Sequence, residues 1–368
     1  MKHDYVNWVE INLSAIEKNT QILIESSQRP LMAVVKANAY GHGAVEVARA
    51  ALWAGASWLA VARYCEARIL REAGILAPIL VLCMVMPEEV DEAIHQQVTL
   101  CLYDFKVADL FSARAKALGK PVYAHVKIDT GMGRLGVFAE DGVRLIQYAQ
   151  SLGGIKIDGL FSHFSMAAKK DHPFTQTQIS RFTHLVDELM SVQLLPKWVH
   201  LANSAASYYE KDSRFNLVRA GAAIVGLPFS DDVPFPSAMC RSLSWKARLA
   251  SCKRMPAGWT ISYGQRYTVE QDEWIGALPV GYADGYHRVA GNQVLLDGQK
   301  VPVVGNVCMD QCMIRLPKQV PLGTEVVLLG SQNGANIAVE DLCRIWNVVE
   351  DDVTSCIAAR VPRVYVRD

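Results

Sequence analysis

Residues 31–43 read LMAVVKANAYGHG: five apolar residues run into a lysine, and the chain then enters a segment broken by one asparagine and two glycines. The apolar run is short and partly β-branched, as a buried strand is, and the Gly/Asn segment ends it where the backbone needs freedom to turn. The next stretch, GAVEVARAALWAGA (43–56), repeats its apolar residues at three and four, which predicts a helix. This strand-then-helix unit recurs. Further strands read SWLAVAR (57–63), PILVLCM (78–84), VTLCLYD (98–104), VYAHVKID (122–129), IKIDGLFSH (155–163), KWVHLAN (197–203) and, less sharply, FNLVRAGAAIVGL (215–227). FTQTQISRFTHLVDELMSVQ (174–193) is another helix between two of them. Eight such units predict an α/β fold, a parallel (β/α)8 barrel.

Beyond GLPFSDDVPFPSAMC (226–240), a loop rich in proline and acid, the pattern changes to short alternating strands with glycine turns. ALPVGYADGY (277–286), QVLLDGQKVPVVGNVCMD (293–310) and TEVVLLG (324–330) are examples, and IAVEDLCRIWNV (337–348) is a single helix among them. The expected domains are therefore a barrel over 1–238 and a mostly β C-terminal domain over 239–368. A chain of 368 residues has room for two such cores.

Composition narrows the function classes. Lys plus Arg (37) cancel Asp plus Glu (37), so no net charge draws the chain to nucleic acid or to an anionic membrane. The N-terminus MKHDYVNWVEINLSAIEKN carries scattered charges and no apolar signal segment, and no apolar run approaches a membrane span. Nine cysteines, an odd number without a paired C-x-x-C framework, read as reduced thiols of a cytoplasmic protein. Cys308 and Cys312 lack the further ligands that a structural zinc needs, so no metal is expected.

Lys36 stands where barrels keep their chemistry, at the C-terminal end of a strand. A lysine amine held beneath aromatic and apolar residues there can form an imine with an aldehyde. A strand-end lysine also commonly reaches out to solvent. The string VVKANAYGHG decides between the two, because it closely resembles the cofactor-binding signature of the alanine racemase family. The resemblance covers the whole chain and continues, in the family's order, through VKIDTGMGRLGV, SHF, HLANSAA, VRAGAAIVGL, SYGQRYT, PVGYADGY and GNVCMDQ. It implies a barrel plus a β domain, pyridoxal 5'-phosphate on Lys36, and chemistry at the α-carbon of a small amino acid.

What the resemblance implies for each residue agrees with its chemistry. Asn203 and Ser204 follow the seventh strand, and Gly221 with Ala222 follows Arg219 at the eighth, where barrels bind phosphate through loop amides and hydroxyls. The same small-residue run NSAAS also reads simply as a capped helix start. Tyr40 joins the phosphate contacts by resemblance. Arg219 would face the pyridine nitrogen, and a guanidinium that only donates keeps that nitrogen unprotonated and the ring a restrained electron sink. His163 would lie beneath the ring and link Arg219 to the second catalytic residue. Inversion of a stereocentre wants acid/base groups on both faces, and the resemblance implies Lys36 on one and Tyr263, from the other chain of a homodimer, on the opposite one. Arg134, Tyr282, the backbone of Met309 and the neighbouring Asp310 would serve the substrate. Lys127 would repel Arg134 unless it were carbamylated, as in some family members.

Two positions depart from the family. Ala359 stands where a tyrosine commonly precedes RVPR, which widens the pocket, and Ala168, followed by Lys169 and Lys170, replaces a usual acid after SHF. Interconversion of L- and D-alanine, feeding cell-wall precursors in a bacterium, is the leading expectation. A serine or broad-specificity racemase is the first rival. An amino-acid decarboxylase of the same barrel type would want a cysteine acid motif that GNVCMDQ does not supply. A non-catalytic pyridoxal-phosphate-binding protein would lack the second domain and Tyr263.

Overall fold

The computed structural model describes residues 4–229 and 235–367, so part of the expected proline-rich linker lies outside the described residues. The chain divides into two compact units, one of Ala15–Cys240 and the other of Met1–Ser14 with Arg241–Asp368.

The first unit is the expected barrel. Its eight parallel strands are Leu31–Val34, Trp58–Val61, Ile79–Val81, Leu100–Leu102, Val122–Asp129, Ile155–Phe161, Trp198–His200 and Val218–Ala220. Each falls inside one of the eight runs read from the sequence. The ring is continuous: Thr99 bridges the third and fourth strands through Val81 N to Thr99 O at 2.9 Å, and the seventh and eighth meet where the Arg219 amide donates to Ala202 O at 3.2 Å. The eighth strand then pairs with the first, Arg219 opposite Met32. Helices follow the strands with recognisable caps. Asp104 accepts the amide of Lys106 at the start of Phe105–Leu118, and Gly119, at φ 61°, ends that helix in the left-handed region. Pro173 opens the longest helix, Pro173–Ser191, where its missing N–H is not needed. Met32, Trp58, Ala60, Leu80, Cys101, Phe161 and Leu217 pack into one buried cluster, so the interior is packed and not a pore.

The second unit is built on a sheet of ten strands among the described residues. Along its main path run Ser251–Met255, Glu273–Leu278, Cys312–Leu316, Gln299–Val304, Gln293–Leu296, Glu325–Gln332, Leu243–Arg248, Asn7–Asn12 and Arg363–Val366. Burial alternates along Leu243–Arg248, the signature of a strand with one face on a core. The expected partition at 238/239 is corrected here in one respect. The strand Asn7–Asn12 belongs to this sheet, because it pairs antiparallel with Leu243–Arg248 and parallel with Arg363–Val366. From Val9 to Asn12 burial alternates with the sheet's period of two, and the Trp245 indole donates to Asn7 Oδ1 at 2.7 Å to fix the register. No helix among the described residues is long and apolar enough to cross a membrane.

Candidate active site

The site begins with strained backbone. After strand Leu31–Val34 the chain enters one left-handed turn in which Ala37, Asn38, Ala39 and Tyr40 all have φ between 51° and 54°. L-residues disfavour this region by roughly 1–2 kcal/mol each, so the turn persists only where its surroundings over-determine it. They do so here. Gly41 donates to Ala37 O, Gly43 to Asn38 O and the Ala44 amide to the Asn38 side chain. Glu66 completes the clamp: one carboxylate oxygen accepts the amides of Ala62 and Arg63, and the other accepts the amide of Ala37, next to Lys36. Glu66 had no motif to reveal it in the sequence. Lys36 itself is half-buried, with Nζ 5.8 Å from the centre of the Tyr40 ring.

Lys36 opens into a cavity of about 160 Å³ at the C-terminal ends of the strands, lined also by Tyr40, Lys127, Arg134, His163, Asn203, Ser204, Arg219 and Gly221. Most of the residues expected from the sequence on this unit therefore share one cavity. Ala222, next in the chain after Gly221, does not line it. Gly221 is required by close approach, since a Cβ there would run into the Tyr40 hydroxyl. Its amide donates to Ser204 Oγ at 3.0 Å, while Asn203 caps the helix Ser204–Tyr209 by accepting the Ala206 amide. The capped helix start read in NSAAS is therefore present.

Four basic side chains, Lys36, Lys127, Arg134 and Arg219, line this cavity, and no carboxylate among the described residues does. Each is held differently. Arg219 is buried and donates to the carbonyls of Ser162, His200 and Leu201 at 2.8–3.0 Å and to His200 Nδ1 at 2.7 Å. Burial draws its pKa down to about 9, which leaves it protonated at neutral pH. Its other nitrogen lies 3.4 Å from His163 Nδ1. Burial, and then Arg219, Lys127, Arg134 and Lys36, hold His163 well below the usual imidazole range, so it is neutral. Lys127 lies beneath, with Nζ 4.3 Å from the Phe161 ring centre, and burial and Arg219 lower its pKa to about 7. Arg134 is exposed at the rim. Its loop is tied by Asp129 Oδ1, which accepts the amides of Gly131, Met132 and Gly133. Burial raises the Asp129 pKa, but these amides and that of Arg134 outweigh it and keep the carboxyl ionised.

The second unit carries its own cluster. A hairpin pairs Thr260–Ile261 with Tyr267–Thr268 and presents Tyr263 at its turn, 69% exposed. Ser262, at φ 65°, is pinned by its hydroxyl, which donates to Asn306 O at 2.6 Å, and the Asn306 amide donates back to Tyr263 O at 2.7 Å. Tyr282 and Met309 are exposed on the adjoining loops, which are joined by Tyr282 N to Cys308 O and Ala283 N to Met309 O, each 3.0 Å. Arg360 spans Asp284 at 2.7 Å and Asp310 at 2.8 Å, so Asp310 braces the loop. Ala359, beside it, is exposed.

Known proteins carry the same plan. The family model for "Alanine racemase, N-terminal domain" matches residues 11–228 and that for "Alanine racemase, C-terminal domain" matches 242–365. An alanine racemase of Halalkalibacterium halodurans is 42% identical over 100% of this chain and 97% of its own, and one of Geobacillus stearothermophilus is 43% identical over 98% and 93%. Among solved structures, the alanine racemase of Bacillus anthracis with bound L-Ala-P has a TM-score of 0.95 at 35% identity, covering 100% of this chain and 97% of that one. With matches of this extent across both units, the chain belongs to the alanine racemase family.

Proposed function

We propose that this chain is an alanine racemase that holds pyridoxal 5'-phosphate on Lys36 and interconverts L- and D-alanine. The observation that carries the reading is the cavity lined by four basic side chains and, among the described residues, no carboxylate. Such a set repels itself when empty and suits an occupant with a phosphate, together with a substrate carboxylate. The close approach of Gly221 and Tyr40, beside Ser204, is the small-residue cradle that a phosphate group fits. Tyr40, Asn203, Ser204, Gly221 and Ala222 would hold the phosphate, His163 would lie beneath the ring, and Arg219 would donate to the pyridine nitrogen.

When bound, the cofactor supplies the electron sink that acidifies the substrate α-carbon, which side chains alone cannot do. The rest falls to this chain's own groups. Arg134, with Tyr282 and the Met309 backbone, orients the substrate by its carboxylate. The Lys36 amine takes or returns the α-proton on one face, and the Tyr263 phenol does so on the other. Lys127, half deprotonated near neutral pH, has the free amine that adds to CO2 with loss of one proton. The resulting carbamate would turn a cation beside Arg134 into an anion that orients it. Tyr263 is exposed on its own unit, so a homodimer in which one chain's Tyr263 serves the other's Lys36 would give the phenol its site. The nine free cysteines fit a reducing, cytoplasmic location.

The test is α-proton exchange into deuterated water by purified protein with pyridoxal 5'-phosphate, followed by NMR and chiral analysis, for L-alanine, L-serine and L-lysine. Exchange with racemisation of alanine is expected; none with any substrate would end the racemase reading. The small exposed residue at Ala359 favours a second reading, broad specificity, which comparable turnover of serine or lysine would establish.

A further inference from the structure

We infer that Asp158 and His125 are positioning residues, which together with His200 form a relay through the barrel interior that fixes how Arg219 donates into the cavity. The inference rests on the reading above, in which Arg219 addresses the cofactor. Three contacts in series compose the relay. Arg219 Nη1 meets His200 Nδ1 at 2.7 Å, His200 Nε2 meets His125 Nδ1 at 2.9 Å, and His125 Nε2 stands 3.3 Å from Asp158 Oδ1. Both imidazoles are fully buried. His125 Nε2 and that carboxylate oxygen are shut off from solvent, and among the described residues neither makes a formed hydrogen bond, which leaves them facing each other as a charge contact at 3.3 Å.

Donor and acceptor chemistry then assigns every proton. A guanidinium can only donate, so His200 Nδ1 accepts, and its single proton sits on Nε2. That proton is donated to His125 Nδ1, which leaves the His125 proton on Nε2, facing a carboxylate that can only accept. A neutral His200 agrees with its surroundings: burial, and then Arg219, His125 and Lys127, hold it well below the usual imidazole range. Packing prevents either ring from turning over. Phe161 stacks on His200 with ring centres 5.0 Å apart and planes within 7°, and the Trp58 ring lies 5.1 Å from His125. Gly159 makes the room, since a Cβ there would enter the His125 ring. Asp158 thus supplies an acceptor-only end and a negative charge to a buried cation two imidazoles away. The relay is the orienting logic of a catalytic triad, applied to a donor.

Asp158→Asn is the informative variant. Its amide can donate to His125 Nε2, which reverses the chain and leaves His200 Nδ1–H against an Arg219 N–H, donor against donor. The experiment is two-bond 1H–15N correlation on holoenzyme labelled with 15N-histidine, the signals being assigned with His125→Gln and His200→Gln. In the unaltered protein both imidazoles are expected as the Nε2–H tautomer; an Nδ1–H form or an imidazolium at His200 would overturn the relay, whether or not the variants fold. Asp158→Asn is expected to change the tautomer signals and to lower kcat roughly tenfold or more, with KM within about twofold, as loss of an orienting partner does. Asp158→Glu, which keeps the carboxylate, should retain both. Unchanged tautomers and kcat in Asp158→Asn would mean that the three carbonyls alone position Arg219. Absent α-proton exchange in the unaltered protein would sink the racemase reading and leave the histidine signals to decide the relay.

Discussion

The two halves of the chemistry are built differently. In the barrel, Arg219 and Lys127 are buried, and Lys36 sits on a strained turn clamped by Glu66. On the C-terminal unit, Tyr263 and Met309 are 69% and 53% exposed, on loops tied by hydrogen bonds to their backbones. A group meant to move a proton in a dry site is not left in water, so the barrel half is preorganised in one chain and the tyrosine half is not. The difference is the one that the proposed shared site would produce: the barrel's groups are ordered within a chain, whereas a Tyr263 that acts as proposed would be completed by a second copy.

The strongest way to break that comparison is to disable one half in each of two chains. Lys36→Ala should lower racemisation by about 10⁴-fold or more, because the covalent attachment and one base go together, and it should abolish the cofactor's visible absorbance. Tyr263→Phe should lower it by about 10²–10⁴-fold, the usual worth of an acid/base group. Its exposed position predicts no change in thermal unfolding beyond about 0.5 kcal/mol. Unfolding and refolding the two variants together should restore about a quarter of the unaltered activity, since half of the pairs formed would be mixed and each mixed pair of a two-fold dimer would hold one intact site. No recovery on mixing would place both bases in the same chain and end the shared-site proposal.

The sequence made the barrel legible because each strand is a compact apolar run with its own turn, and the lysine signature stands in the chain as ten contiguous residues. Residues 7–12 read as scattered charges and not as a strand, and they fall to the barrel by their place in the chain, because nothing in so short a segment tells which sheet it joins. Glu66, Asp129 and the relay were hidden for another reason. Each acts by where a carboxylate or an imidazole lands in space, as when Asp158 meets His125 across two strands. His125 and His200 did stand in the strand runs VYAHVKID and KWVHLAN, where a histidine facing a barrel interior is a signal worth following.

A smaller effect sharpens the barrel side. Lys127 drops from the ordinary 10.5 to about 7 in the fold. Its folded pKa lies below its unfolded one, so the unfolded chain binds the extra proton between pH 7 and 10.5. Stability from this group therefore rises with pH across that window and is lost on the way down, levelling off below pH 7. The difference corresponds to about 5 kcal/mol at the lower end. Lys127→Met should remove this slope, so that urea unfolding in carbonate-free buffer shows the variant gaining most over the unaltered protein near pH 6. Equal slopes for the two would mean that the amine stays charged in the fold. Added 13C-bicarbonate should give a carbamate resonance in the unaltered protein and none in the variant.

The smallest expected change sits on the exposed side. Ala359 immediately precedes Arg360, whose guanidinium ties Asp284 to Asp310 and so shapes the loop that carries Met309. A tyrosine introduced there adds bulk at an exposed position without touching the ion pairs, so stability should stay within about 0.5 kcal/mol. Its effect should fall on substrate size: a pocket wall moved by one side chain discriminates by about 1–3 kcal/mol. Ala359→Tyr should accordingly lower kcat/KM for L-serine relative to L-alanine by about tenfold or more, with alanine itself little changed. An unchanged ratio would show that the pocket's width is set elsewhere, and that the barrel half governs which amino acid is turned over as well as how.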